Sequence, residues 1–87
     1  MFNEYDERYI EEQVEAWRKV KTSWEYAKAE GNVENANMMD IAVNALTHRI
    51  VGVIEYIKAR DGRNLVYNFY YGVLTILDVD TGKKVSY

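Results

Sequence analysis

The chain has 87 residues, 48% of them hydrophobic and 29% charged, which describes one small globular domain and not a disordered segment. Its net charge of −3 and isoelectric point near 5.1 give no general attraction to nucleic acid or to anionic membranes. Cysteine is absent, which excludes disulfides, thiolate nucleophiles and cysteine-ligated metals, and no stretch approaches the ~18 apolar residues that a membrane-spanning helix needs.

The start, Met1 to Arg8, is acidic and polar and does not read as a signal peptide. A secreted domain this small commonly needs disulfide staples, so a cytoplasmic setting is expected. Apolar residues then recur at Ile10, Val14, Trp17, Val20, Trp24 and Ala27, at spacings of 4, 3, 3, 4 and 3. That is one stripe of an amphipathic helix running from about Asn3 to Glu30. Asn3 can cap it by accepting from a free backbone N–H, and Glu4/Arg8 and Glu15/Lys19 are favourable pairs one turn apart. Gly31 supplies a residue suited to the left-handed end of a helix.

Asn32 can cap a second helix from about Val33 to Arg60. A connection this short makes the two helices antiparallel neighbours. Met39, Ala42, Val43, Leu46, Ile50, Val53, Ile54 and Ile57 form one broad apolar face, which Met38, Ile41, Ala45 and Tyr56 extend sideways. One partner helix cannot cover so wide a face. The second helix is therefore expected at the centre of the fold, with the first helix on one side and a sheet or a second subunit on another. Asp61-Gly62 ends it, with Arg60 and Arg63 beside the negative end of the helix dipole.

From Leu65 the composition turns to Tyr, Val, Phe, Ile and Thr, which favours strands, although Leu65, Phe69, Val73 and Leu77 would also align on a helix. Strands are expected near 65–70, 73–79 and 83–87. Tyr71-Gly72 turns the first hairpin in this reading, and a continuous strand through Gly72 is the alternative. Asp78-Val79-Asp80-Thr81-Gly82-Lys83 resembles the Asp-x-x-Thr-Gly-Lys hairpins that recur in β-propeller blades. The resemblance covers about twelve residues and implies turn chemistry only, because the chain has no repeat from which a propeller could be built. The fold class expected is α+β: a helical hairpin followed by a three-stranded antiparallel meander, all in one domain spanning 1–87.

Candidate chemistry is sparse. His48 is the single histidine, and no hydroxyl is placed beside it, so a surface histidine outweighs a catalytic one. Asp78, Asp80 and Gly82 lack the spacing of a calcium loop, and Gly82-Lys83-Lys84 lacks that of a phosphate loop. No catalytic residue, metal or cofactor is assigned.

Charge is more informative. Between Glu4 and Glu15, six acids face Arg8 alone. Between Ala16 and Glu30, Arg18, Lys19, Lys21 and Lys28 outnumber Glu25 and Glu30. This polarity opposes the helix dipole and stabilises the helix without any partner, yet it also offers an acidic surface to a basic one. Glu7, Glu11 and Glu15 share one helix face and are the candidate docking acids. The eight tyrosines and two tryptophans exceed what one small core can hide, and Tyr70 and Tyr71 are the candidate interface aromatics.

The function expected is that of a non-enzymatic interaction protein, self-associating as a dimer and docking a basic protein partner. Its size and acidity suit an accessory or inhibitory protein of a phage or mobile element. The alternative is nucleic-acid binding through Arg18, Lys19, Lys21, Arg49 and Arg63 with exposed tyrosines, against which the net charge argues. A small enzyme or ligand-binding domain comes third, and no association with a membrane is expected.

Overall fold

Asn3 opens helix α1, Glu4–Ala29, with its side-chain oxygen accepting the Asp6 N–H at 2.8 Å. Asn32 opens α2, Val33–Asp61, in the same way through the Asn35 N–H at 3.1 Å. Each cap satisfies one of the amide groups that the first turn of a helix leaves without a partner. Gly62, at φ 63°, ends α2 by donating its N–H to the Lys58 carbonyl. The computed structural model describes residues 1–87, and after α2 it places strands β1 (Leu65–Tyr70), β2 (Val73–Asp78) and β3 (Lys84–Ser86).

The strands form one antiparallel sheet in the order β1-β2-β3, so the expected meander is the observed topology. Tyr70 pairs with Val73, leaving Tyr71 and Gly72 as a two-residue turn with φ of 49° and 76°. Positive φ at both positions defines the type I′ geometry, whose twist matches that of the flanking strands. The chain therefore reverses at Gly72 and does not run through it. β2 ends at Asp78, one residue earlier than expected, because Asp78 Oδ1 accepts the amides of Asp80 and Thr81 and starts the second turn. Gly82, at φ 73°, completes that turn by donating to the Asp78 carbonyl. Regular β3 is shorter than 83–87, yet Lys83 and Tyr87 still bond to Asp78 and Leu74 across the hairpin.

Side-chain alternation sends Leu65, Phe69, Leu74 and Ile76 toward the helices. They meet Ile10, Val14 and Trp17 of α1 and Ile50, Ile54 and Ile57 of α2 in one apolar cluster. Trp17 is 3% exposed, and its ring lies tilted against Phe69 at 5.2 Å. Trp24, whose place on the same apolar stripe predicts burial as well, is only half-covered, with the Lys28 ammonium 4.4 Å over its ring. It lies beyond the stretch of α1 that carries the core cluster. Only the C-terminal half of α2 is central to the fold as expected, since Val33, Met38 and Ile41 in its N-terminal half are exposed.

Two arginines, expected merely to complement the helix dipole, tie the elements together. Arg60 Nη2 lies 2.6 Å from buried Asp6, joining the end of α2 to the start of α1. Arg63 donates Nε and Nη2 to buried Asp78 at 3.2 and 3.0 Å, and Nη1 to the Met1 carbonyl at 2.8 Å. Asp6, counted above among the six acids of the acidic surface, is therefore structural. The Arg63 hydrogen bonds hold the Asp78 carboxyl below its ordinary value of 3.8 against the opposing effect of burial.

Two outcomes follow from this packing. Trp17→Ala is expected to lower unfolding stability by about 3–5 kcal/mol in denaturant melts, and Trp24→Ala by clearly less. A depressed folded pKa at Asp78 means that its contribution is present above the unfolded value of 3.8 and lost as pH falls through the folded one. Asp78→Asn is thus expected to destabilise the protein at pH 7 and to flatten the acid limb of its stability curve, measured by thermal melts from pH 7 to pH 2.

Candidate interaction surface

Besides the core contacts of its strands, the tip of the first hairpin is tied to α1 by one hydrogen bond. Arg18 Nε donates to the Gly72 carbonyl at 2.9 Å, fixing the turn beside the middle of the helix. The turn presents Tyr71, 85% exposed, and Tyr70, 66% exposed, with their rings edge to face at 4.4 Å. Tyr71 is the single non-glycine residue with positive φ. A left-handed backbone conformation costs an L-residue roughly 1–2 kcal/mol, and type I′ turns favour Asn, Asp or Gly at this position. A bulky aromatic held there in solvent has only its edge contact with Tyr70 to set against the strain. Strain of this kind concentrates at functional sites. Between the hairpin and α1 lies an open cleft lined by Arg18, Lys21, Trp24, Phe69, Tyr70 and Tyr71.

The acids lie farther toward the start of α1. Glu11 and Glu15 are exposed and, with Arg18, Lys19 and Tyr87, line a second groove between α1 and the end of β3. Glu15 is 3.4 Å from Lys19, an exposed pair one turn apart. Glu7 is half-buried beside Tyr87 and belongs to the packing there more than to open surface. The Tyr87 hydroxyl is buried beside the Glu7 carboxylate, without a partner in well-formed hydrogen-bond geometry. Burial first, and then the adjacent Glu7 carboxylate as hydrogen-bond acceptor and as negative charge, push the phenol above its ordinary value of 10.0.

The acid groove and the aromatic cleft share Arg18, Thr22 and Tyr87, so they form one trough along α1. The structure thus brings Glu11, Glu15, Tyr70 and Tyr71 to one side of the molecule, with Glu7 at its margin. Arg18, Trp24 and Tyr87 are trough residues that the sequence reading did not assign to the acidic surface. The unusual residue of a Tyr-Gly type I′ turn was the one available signal for the hairpin tip, and no local pattern marked Arg18 as its anchor.

The cations considered for nucleic acid do not form one patch. Arg63 is engaged with Asp78, Arg49 Nη1 donates to Gln13 at 3.3 Å, and Lys19 faces Glu15, so only Arg18 and Lys21 stand beside the exposed tyrosines. His48 is exposed on α2 and lines neither part of the trough.

No protein-family model, curated protein or solved structure matches this chain.

Tyr71→Asn is expected to raise stability by about 1 kcal/mol, because Asn tolerates the left-handed conformation that Tyr adopts under strain. A higher melting temperature in calorimetry is the check, and an unchanged or lower one would remove strain as a property of this turn.

Proposed function

We propose that this protein is a non-enzymatic interaction module that associates with itself and docks a basic protein partner through the α1 trough. The observation that carries the docking is the trough itself. Exposed carboxylates of Glu11 and Glu15 stand at one end and the solvent-facing Tyr70–Tyr71 pair, with Tyr71 in a strained conformation, at the other. Carboxylates at the rim steer a basic partner and set its association rate, while exposed tyrosines supply large contact area at small entropic cost. An accessory or inhibitory role fits a module of this size whose surface presents docking groups and no assembled nucleophile and base.

A second reading rests on the aromatic end alone. Arg18 and Lys21 beside Tyr70, Tyr71 and Trp24 could stack and neutralise a short single strand of nucleic acid. Glu25 lines the same cleft and the chain is net acidic, so this reading ranks second.

The test uses Glu11→Lys/Glu15→Lys, both exposed, and spares Glu7, whose reversal would place an ammonium beside the buried Tyr87 phenol. A partner captured from native extract by the wild-type protein is then measured by stopped-flow. The doubly reversed protein is expected to stay helical by circular dichroism, to associate about tenfold more slowly, and to lose most of its salt dependence. A folded variant with an unchanged association rate would reduce the acid row to a solvated helix start. Salt-dependent quenching of Trp24 by a short oligonucleotide, abolished by Tyr71→Ala, would promote the second reading.

A further inference from the structure

The outer edge of β1 carries backbone groups that nothing in the chain satisfies. Tyr70 and Val73 close the two-residue turn, and Asn64 accepts from the Val79 N–H at the other end of the ladder. Antiparallel pairing alternates strictly, so Val66, Asn68 and Tyr70 direct their N–H and C=O groups toward β2. Leu65, Tyr67 and Phe69 direct theirs away. Leu65 is sealed at 1% exposure, whereas Tyr67 is 37% exposed and Phe69 partly so. No hydrogen bond from outside the β1–β2 ladder reaches Tyr67 or Phe69. Alternating free donors and acceptors along an extended backbone are complementary to another extended strand.

The free edges differ in how they are protected. β3 is three residues long and carries Lys84, beside Lys83. A short strand with lysine is a usual guard against unwanted pairing. β1 has none of these devices, because Val66-Tyr67-Asn68-Phe69-Tyr70 contains no charge, no proline and no bulge.

We propose that β1 pairs antiparallel with β1 of a second copy about a two-fold axis through Asn68, joining the two sheets into one. The inference rests on the self-association read above and assigns it a surface and a register. That register places Tyr67 opposite Phe69 of the second copy, so the residues with free backbone groups exchange hydrogen bonds. It sets aromatic against aromatic on the helix side, Val66 against Tyr70 on the outer side, and the Asn68 amides against each other on the axis. No pair in this register sets a charge against an apolar side chain, and the absence of charge spares two net-acidic chains any repulsion at the seam. Another protein's strand has no comparable reason to match this pattern.

Asn68 is exposed and faces away from the core, so substitutions there leave the fold intact. In the proposed register it is a non-hydrogen-bonded pair with itself, with Cα atoms about 4.5 Å apart, inside the range a disulfide spans. Asn68→Cys gives the chain its single thiol. Oxidation at micromolar concentration is expected to convert it to a covalent dimer on a non-reducing gel, while Lys84→Cys on the opposite edge stays monomeric. Asn68→Lys puts two ammonium groups on the axis and is expected to weaken dimerisation at least tenfold in sedimentation equilibrium, with an unchanged circular dichroism spectrum. If the wild type sediments at 10.2 kDa at micromolar concentration, self-association and this register fail together. If it is a dimer that Asn68→Lys leaves intact and Asn68→Cys does not cross-link, self-association stands and the β1 edge is wrong.

Discussion

Helices of 26 and 29 residues extend about 39 and 43 Å, whereas strands of six residues extend about 20 Å. A sheet of that size covers only about half of the helical hairpin, and the molecule is accordingly elongated, 45 × 19 × 18 Å. The covered half holds the continuous core, where Ile50, Ile54 and Ile57 meet Leu74 and Ile76. The other half is two helices side by side, and two helices leave much of their apolar surface in solvent. Ile41, 71% exposed, and half-covered Trp24 are consequences of that mismatch, to which the wide apolar face of α2 adds in the case of Ile41.

The covered end is also where buried charge is concentrated. Asp6 with Arg60 and Asp78 with Arg63 connect α1, α2, the start of the chain and the second β-turn. Pairs of this kind contribute modestly to net stability, but losing one partner leaves a buried charge uncompensated and is strongly unfavourable. Their effect is therefore to fix which ends meet. Asp78 does this twice: one carboxylate oxygen shapes the turn through the Asp80 and Thr81 amides, and the other receives Arg63. The same Asp side chain supplies turn chemistry and tertiary contact.

At the trough, the fold and the proposed docking make opposite demands on one residue. Tyr71 occupies a backbone conformation that its side chain disfavours, and the ring it displays there is almost wholly in solvent. Arg18 holds that turn beside α1 through the Gly72 carbonyl, so the aromatic tip is presented on a fixed frame. Pre-positioning of this kind reduces the ordering that binding would otherwise require.

The sequence by itself determined the elements and their order. Caps at Asn3 and Asn32, breaks at Gly31 and Gly62, and β-branched and aromatic enrichment after Leu65 are local signals, and local backbone preferences act within a few residues. They settled the α+β class, the antiparallel hairpin and the three strands to within a residue or two. They also placed Glu7, Glu11 and Glu15 on one helix face. Only the tertiary structure decided how far the sheet reaches along the helices, and hence that Trp17 is core while Trp24 is half-exposed, although both lie on the same stripe. Only it decided that Asp6 is a buried partner of Arg60 and Glu7 half-buried while Glu4 stays in water, and that Tyr70 and Tyr71 lie beside Arg18 and within one trough of Glu11 and Glu15. These facts depend on contacts across 54 positions, as for Arg18–Gly72 and Asp6–Arg60. Residue spacing within one element carries no information about such contacts, because they arise only when separate elements pack against each other.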